Sequence, residues 1–368
     1  MSKKRFAKIT LFLVLAFSGF LLYNFAEERV EKSGYEIDNI QSRLTSNKDH
    51  NRTVYSPDFN RTQNTEAVND TVYSGMGMDR NDDHFFVSDF GDYKVKKFDL
   101  NGIYTGDIGN GNGRGPGEFL NISDLSATEN NVWTADMISM RITRFPLNVS
   151  EDSFEIPTDK RPSRIASNQH VIAVKWLTSE NFFTIYNRTG EKLRTFGVIN
   201  EEQIINSFSY DGWIDLSEKY LFFIPMYFGK IYVYDLNDGS LFKEMNTPVP
   251  TSVPRVEEDI QYGERRVAAP FTQYVNSHML YIQKNNTLAV STYYRGDEIR
   301  EGEYDEKTAA FWIDFYDLDD WTYRDSIELP HAVSTFFFSE NTFYTYNTTS
   351  AAGRSYNMSE ELREIIYR

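Results

Sequence analysis

From residue 75 onward the chain alternates short apolar runs with polar turns, and no stretch keeps a helical period. HFFVSD from His84, NVWTAD from Asn131, VIAVKW from Val171, YLFFIPM from Tyr220, LAVSTYY from Leu288 and TFYTYN from Thr342 are rich in β-branched and aromatic residues. Asn, Asp, Ser and Gly bound them, so each reads as a strand. Downstream of each comes an aromatic residue, usually followed by Asp or Asn, then a turn, then a second short strand. The six instances are FDLNGIYTGDI from Phe98, FPLNVSEDSFEI from Phe145, YNRTGEKLRTF from Tyr186, YDLNDGSLFKEM from Tyr234, YDLDDWTYRDSIEL from Tyr316 and YNMSEELREIIY from Tyr356. Asn101-Gly102, Thr189-Gly190 and Asp238-Gly239 are hairpin signals, because Gly and Asn accept the positive φ of such turns.

A further strand-like run precedes each unit: SGMGM, DLSAT, RIAS, IDLS, MLYIQ and STFFFS. Four strands per unit in six units predict an all-β fold, a six-bladed β-propeller of four-stranded antiparallel blades over residues 71–368. Leading aromatics are spaced 47, 41, 48, 82 and 40 residues apart. The long gap contains PVPTSVPRVEEDIQYGERRVAAPFTQ, whose prolines and charges suit loops better than a seventh blade.

The N-terminus is different. Residues 1–8 carry Lys3, Lys4, Arg5 and Lys8, and residues 9–26 (ITLFLVLAFSGFLLYNFA) contain no charge. As a helix this run reaches about 27 Å, enough to cross a hydrocarbon core. Residues 1–8 then read as a cytoplasmic basic tail, 9–26 as a transmembrane signal-anchor helix and 27–70 as a polar tether, with one short strand at 52–55. A cleaved signal peptide is the alternative. Both readings place the propeller in the periplasm or outside the cell, membrane-anchored in the first and secreted in the second.

Composition narrows the chemistry. The absence of Cys removes disulfides, thiolate metal sites, thiol nucleophiles and a lipidated N-terminal Cys. A net charge of −16 becomes −20 once the four basic residues of the tail are set aside. That argues against nucleic acid as a partner. Asn-x-Ser/Thr occurs nine times, which turn chemistry largely explains.

The first unit, FFVSDFGDYKVKKFDLNGIYTGDIGNGNGRGPGEF (85–119), resembles the NHL repeat. Asp89, Lys94, Val95, Lys97 and Phe98 sit at its pattern positions, as do Gly113, Gly115, Pro116, Gly117, Glu118 and Phe119. Asp136, Arg141, Ile142, Arg144 and Phe145 repeat part of it, and the later units keep only the rhythm. The whole is similar to the NHL-like six-bladed propellers exported by Bacteroidota-type bacteria. The resemblance implies a fold and, for most such proteins, a binding platform, with a minority of enzymes. The glycine run at 109–117 lacks the Lys-Ser/Thr of a phosphate loop and reads as an inter-blade turn.

Propeller geometry sends the links between blades and the loops between second and third strands to one face. The long segments at 109–121, 198–213, 246–277, 293–309 and 347–354 all fall there, so that face is expected to bind. Lys175, Trp176, Tyr227, Tyr293, Tyr294 and Arg295 end strands on it, and Arg114 and Arg354 enter from loops. An aromatic and arginine rim suits a peptide, a glycan or an envelope protein. Asp89 and Asp136 read as structural, pairing with nearby backbone or with Lys94 and Arg141.

No cofactor is implied. The acidic loop 295–307, with Asp297 and Glu301, has the oxygens for calcium but not EF-hand spacing. His278 and His331 start adjacent blades and form the other metal candidate. A metal-dependent hydrolase or lyase at the channel mouth is therefore the alternative to a non-catalytic platform. No nucleophile elbow, H-E-x-x-H or Walker sequence names catalytic residues.

Overall fold

The computed structural model describes residues 52–57, 59–60, 68, 71–148, 150–177, 181–198, 210–254, 258–261, 264–267, 272–296, 308–348, 350 and 352–368. The basic tail and the anchor at 9–26 lie outside the described residues, as does most of the tether. Among the described residues no helix is long and apolar enough to cross a membrane.

Blade one consists of Gly75–Arg80, His84–Asp89, Lys94–Asp99 and Tyr104–Ile108. Blade two has Ile122–Ala127, Asn131–Asp136, Arg141–Pro146 and Phe154–Pro157. Blade three has Pro162–Ser167, Val171–Trp176, Asn181–Asn187 and Lys192–Val198. Blade four has Gly212–Leu216, Tyr220–Pro225, Lys230–Asp235 and Leu241–Asn246. Blade five has Tyr274–Ile282, Thr287–Tyr294, Ala310–Asp317 and Thr322–Glu328. Blade six has Thr335–Phe338, Thr342–Asn347 and Ala352–Asn357. Each first strand lies against the first strands of the blades before and after it, blade six against blade one, so the six form a closed ring about a channel.

A hydrophobic cluster fills every interface between neighbouring blades. The leading aromatics of the repeat supply much of it: Phe98, Phe145, Tyr186, Tyr316 and Tyr356 are all buried. Burying one such ring contributes roughly 1.5–3 kcal/mol. The Asp or Asn that follows has its own task. Asp99 Oδ1 accepts from the Asn101 and Ile103 amides, and Asn187 Oδ1 from those of Thr189 and Glu191. Asp235 and Asp317 accept in the same way from Asn237 and Asp319. The repeat is thus an apolar anchor followed by a side chain that closes its own turn.

Three expectations need correction. Blade six has no fourth strand among the described residues. The segment expected to supply it, after Tyr356, is the helix Glu360–Tyr367, which buries Leu362, Ile365 and Ile366 against blades five and six. Ser359 caps it, accepting from the Leu362 amide 3.1 Å away. The 248–273 stretch is not only loop, because Glu258–Gln261 and Glu264–Val267 pair as a hairpin.

The third correction concerns the tether: the short strand expected at 52–55 is present, but it and the residues around it belong to the propeller. Val54–Tyr55 adds a fifth, parallel strand to the outer edge of blade five. Arg52 donates to both carboxylate oxygens of Asp314, at 2.8 and 2.9 Å, with both side chains fully buried. Its guanidinium also lies 4.3 Å from the Trp312 ring centre. Phe59 then packs on Phe343 and Tyr356, and Asn60 accepts from the amide of Asn357 in the last strand of blade six. Val68 and Val72 join the cluster between blades six and one. The N-terminal segment therefore straps the closing blades together.

Candidate binding site at the channel mouth

The first strands enter the channel through β-bulges in blades one, two, three and five, at Gly75/Gly77, Ile122/Asp124, Pro162/Arg164 and Asn276/His278. A bulge re-aims the residue that follows it. As a result one position per blade, all at the same register, forms a ring below the mouth: Gly77, Asp124, Arg164, Trp213, His278 and Thr335, with the next residue of blade six, Phe336, packed behind it between blades five and six. Neighbours in this ring touch. The Arg164 guanidinium lies 4.0 Å from the Trp213 ring centre. Trp213 meets His278 edge-on at 5.7 Å, and His278 meets Phe336 edge-on at 5.2 Å. Asp124 lies close against Gly77, its Oδ1 3.0 Å from where a Cβ would sit, so a larger residue there would press on the carboxyl. One side of the ring is charged, at Asp124 and Arg164, and the next is aromatic, at Trp213 and His278.

Three aspartates on these strands bind across to the next blade. Asp79 accepts from the Ala127 amide, Asp124 from the Ile165 amide and Asp215 from the Tyr281 amide, at 2.8, 3.0 and 2.6 Å. Burial pushes their carboxyls up, to about 6 for Asp79 and about 7 for Asp124 and Asp215. Burial also holds His278 neutral, its pKa brought down to about 3, and the Arg164 charge acts in the same direction.

Above the ring stand Lys175, Asp211, Tyr227, Tyr293 and Arg295. Lys175 is fully buried and pairs with Asp211 at 3.3 Å. Burial pulls its pKa down against the pull of that carboxylate. For Asp211 burial acts upward, but Lys175 and Arg164 outweigh it and the carboxyl ends below its ordinary range. The Tyr227 hydroxyl is raised by burial and lies within electrostatic reach of Asp211, Tyr293, Arg295 and Arg164.

Of the residues expected on the rim, Lys175, Tyr227, Tyr293 and Arg295 converge here. The others do not. Trp176 is buried between blades two and three and donates to Thr184 Oγ1. Tyr294 is buried against Tyr274 and Trp312. Arg114 is exposed on the blade one to two link, away from blades three to five. Arg354 is on a strand, opposite Thr345, not on a loop. Arg164 and Trp213 were missed. The available signal was a cation two residues, and an indole one residue, past the start of a first strand.

The metal candidates also separate. His331 Nε2 and Nδ1 are hydrogen-bonded to Thr345 and Tyr356, whereas His278 packs between Trp213 and Phe336. Asp297 and Glu301 lie outside the described residues. Among the described residues no three His, Cys, Asp or Glu side chains are grouped to hold a metal ion.

Asp89 and Asp136 hold backbone, not their neighbouring cations. Asp89 accepts from the amides of Tyr73, Ser74 and Gly91, and Asp136 from those of Leu120, Asn121, Ile138 and Ser139. Each aspartate ties a second strand to the incoming link of its own blade. In the glycine run, the protein's own Glu118 carboxylate fills the would-be cradle, accepting from the Gly115 amide at 2.6 Å.

These features define a six-bladed β-propeller with a polar and aromatic channel mouth at blades three to five. No family model and no curated protein matches the chain. Solved structures do. A member of the DUF4221 family from Bacteroides vulgatus is 11% identical, with 82% of this chain and 96% of that one covered at a TM-score of 0.53. A protein described as exported, from Bacteroides fragilis, is 9% identical over 81% and 93% at 0.48. Hydrazine synthase from Kuenenia stuttgartiensis is 12% identical over 74% of each chain at 0.48. At such identities the likeness shows the fold alone.

Proposed function

We infer that this chain is an exported binding platform of the NHL-like kind, held at a membrane by the apolar helix at 9–26. Its partner is a peptide, a glycan or an envelope protein, taken at the mouth of the propeller channel without catalysis. One observation carries the reading. Lys175, Tyr227, Tyr293 and Arg295, from three blades, gather with Arg164 and Trp213 on the face where the long links emerge. A rigid ring of first strands holds them, which lowers the ordering cost of binding.

The reading predicts a ligand-sized footprint at this mouth. The full-length chain in detergent micelles is probed on peptide and glycan arrays, and the tightest ligand is then titrated against Tyr227→Ala and Arg295→Ala. Each substitution is expected to weaken binding about 10-fold, as for an aromatic or arginine anchor. Unchanged affinity in both variants with an intact fold would place the binding surface elsewhere.

A further inference from the structure

We propose that the channel ring is a receiving site for a carboxylated sugar, with Arg164 as the group that takes the carboxylate and Trp213 as the plate on which the sugar ring lies. This inference rests on the platform reading and deepens it.

The argument begins with what Arg164 lacks. Its polar contact is a hydrogen bond from Nη1 to the Ser163 carbonyl at 2.8 Å, and among the described residues no carboxylate comes within 4 Å of it and its buried Nε has no partner. Other buried cations of the propeller are matched: Arg52 by Asp314, Lys175 by Asp211 and Lys96 by Asp92 and Asp107. The nearby carboxylates are already engaged, Asp211 by Lys175 and Asp124 by the Ile165 amide. Stacking on Trp213 fixes the guanidinium plane and leaves its donors for an incoming oxyanion. A planar fork with five N–H donors matches a carboxylate bidentately.

The rest of the ring distinguishes a sugar from a peptide. A peptide entering a β-propeller channel would pair with the free edges of the first strands. Those edges are already occupied at three blades, because Asp79, Asp124 and Asp215 hold the Ala127, Ile165 and Tyr281 amides and Ser126 Oγ holds that of Ser167. What remains is side chains: the Trp213 indole on its side away from Arg164, the His278 imidazole and the Asp124 carboxyl. Aromatic faces take the C–H side of a pyranose, and carboxyl groups accept its hydroxyls. Arg164, Trp213, His278 and Asp124 each retain some solvent exposure, so a ligand in the channel can reach them.

Calorimetry on the full-length chain in micelles tests this with three probes: a glucuronate-terminated disaccharide, the matching glucose-terminated disaccharide and an acidic peptide. The acidic sugar is expected to bind, and the neutral one to bind about 10- to 100-fold more weakly. Arg164→Gln should remove that difference, and Arg164→Lys, which keeps the charge without the flat fork, should restore part of it. Arg164 also stacks on Trp213 and its charge stabilises the Asp124 and Asp211 carboxylates, so the melting temperature of each variant is read beside its affinity and only folded variants are compared. Equal binding of the two sugars, or acidic-sugar binding that survives Arg164→Gln, overturns this inference and leaves the platform standing. Binding of the peptide alone through Arg164 overturns the assignment to a sugar. If no probe binds and the array screen is also empty, the platform reading fails together with it.

Discussion

Replacing Arg52 with alanine is expected to destabilise the protein by about 3–5 kcal/mol, the usual cost of leaving one partner of a buried ion pair alone. The residue comes from a polar stretch far from the propeller repeats in sequence, yet its guanidinium makes a bidentate pair with a fully buried Asp314. Ser326 Oγ donates to the same carboxylate at 2.6 Å, so Asp314 keeps one partner but not its counter-charge. Loss of the strap also frees the outer edge of blade five and the contact of Phe59 with blade six. The melting temperature should fall by roughly 5–10 °C for a chain of this size. Combining Arg52→Met with Asp314→Leu should recover most of the loss, since no charge is then left buried. A melting temperature for Arg52→Ala within 1–2 °C of the wild type would show that the strap does not close the ring. A practical consequence is that a soluble form of the propeller must begin ahead of Arg52, not at residue 71.

The channel aspartates make stability depend on pH in an unusual direction. Asp215 titrates at about 7 in the folded protein and at its ordinary 3.8 when unfolded, so the unfolded chain gives up this proton first as pH rises. Its contribution is therefore intact below pH 3.8 and is lost progressively up to about pH 7. Between pH 5 and pH 8 the loss from this one group is roughly 2–3 kcal/mol. Burial is the main cause, with Asp79 and Asp124 adding repulsion and the Tyr281 and Leu216 amides opposing it. His278 works the other way below pH 6.5, because the unfolded state takes up a proton that the folded ring refuses until about pH 3. Comparison of Asp215→Asn with the wild type isolates the aspartate. Asparagine keeps the shape and one acceptor for the Tyr281 amide without the charge, so the variant should gain stability relative to wild type as pH rises from 5 to 8. A difference in melting temperature that does not change with pH would mean that Asp215 is ionised in the folded protein throughout.

The first five blades were legible because their signal is local. An aromatic followed by a self-bonding Asp or Asn, then a Gly at positive φ, marks the hairpins of blades one, three and four within a few residues, as Phe98, Asp99 and Gly102 do. Blade six broke the pattern where a second local signal competed. Ser359 followed by two glutamates, with Leu362, Ile365 and Ile366 at helical spacing, is a capped amphipathic helix, and that spacing outweighs the repeat rhythm. The short strand expected at 52–55 is present, but its place on the edge of blade five was not legible, since a two-residue strand gains its pairing from its neighbour and not from its own propensity.

The site was half legible for a related reason. Strand ends on the long-loop face are fixed by chain order, so Lys175, Tyr227, Tyr293 and Arg295 could be placed. Which residues of a first strand point into the channel depends on bulges, and a bulge shifts the alternation by one residue. Arg164 and Trp213 could be assigned only once the registers Arg164↔Lys175 and Trp213↔Ile224 were known. The signature of Arg164 is a charge within a strand, and Asp79, Asp124 and Asp215 share it.

Hydrogen–deuterium exchange of the full-length chain, with and without its saturating ligand, tests the central claim most directly. If the channel mouth binds, protection should rise in the segments carrying Arg164, Asp211–Trp213, Tyr227 and Tyr293–Arg295, while the outer strands and the C-terminal helix are unchanged. Protection confined to the outer edges of the blades, or to the short turns on the opposite face, would contradict it.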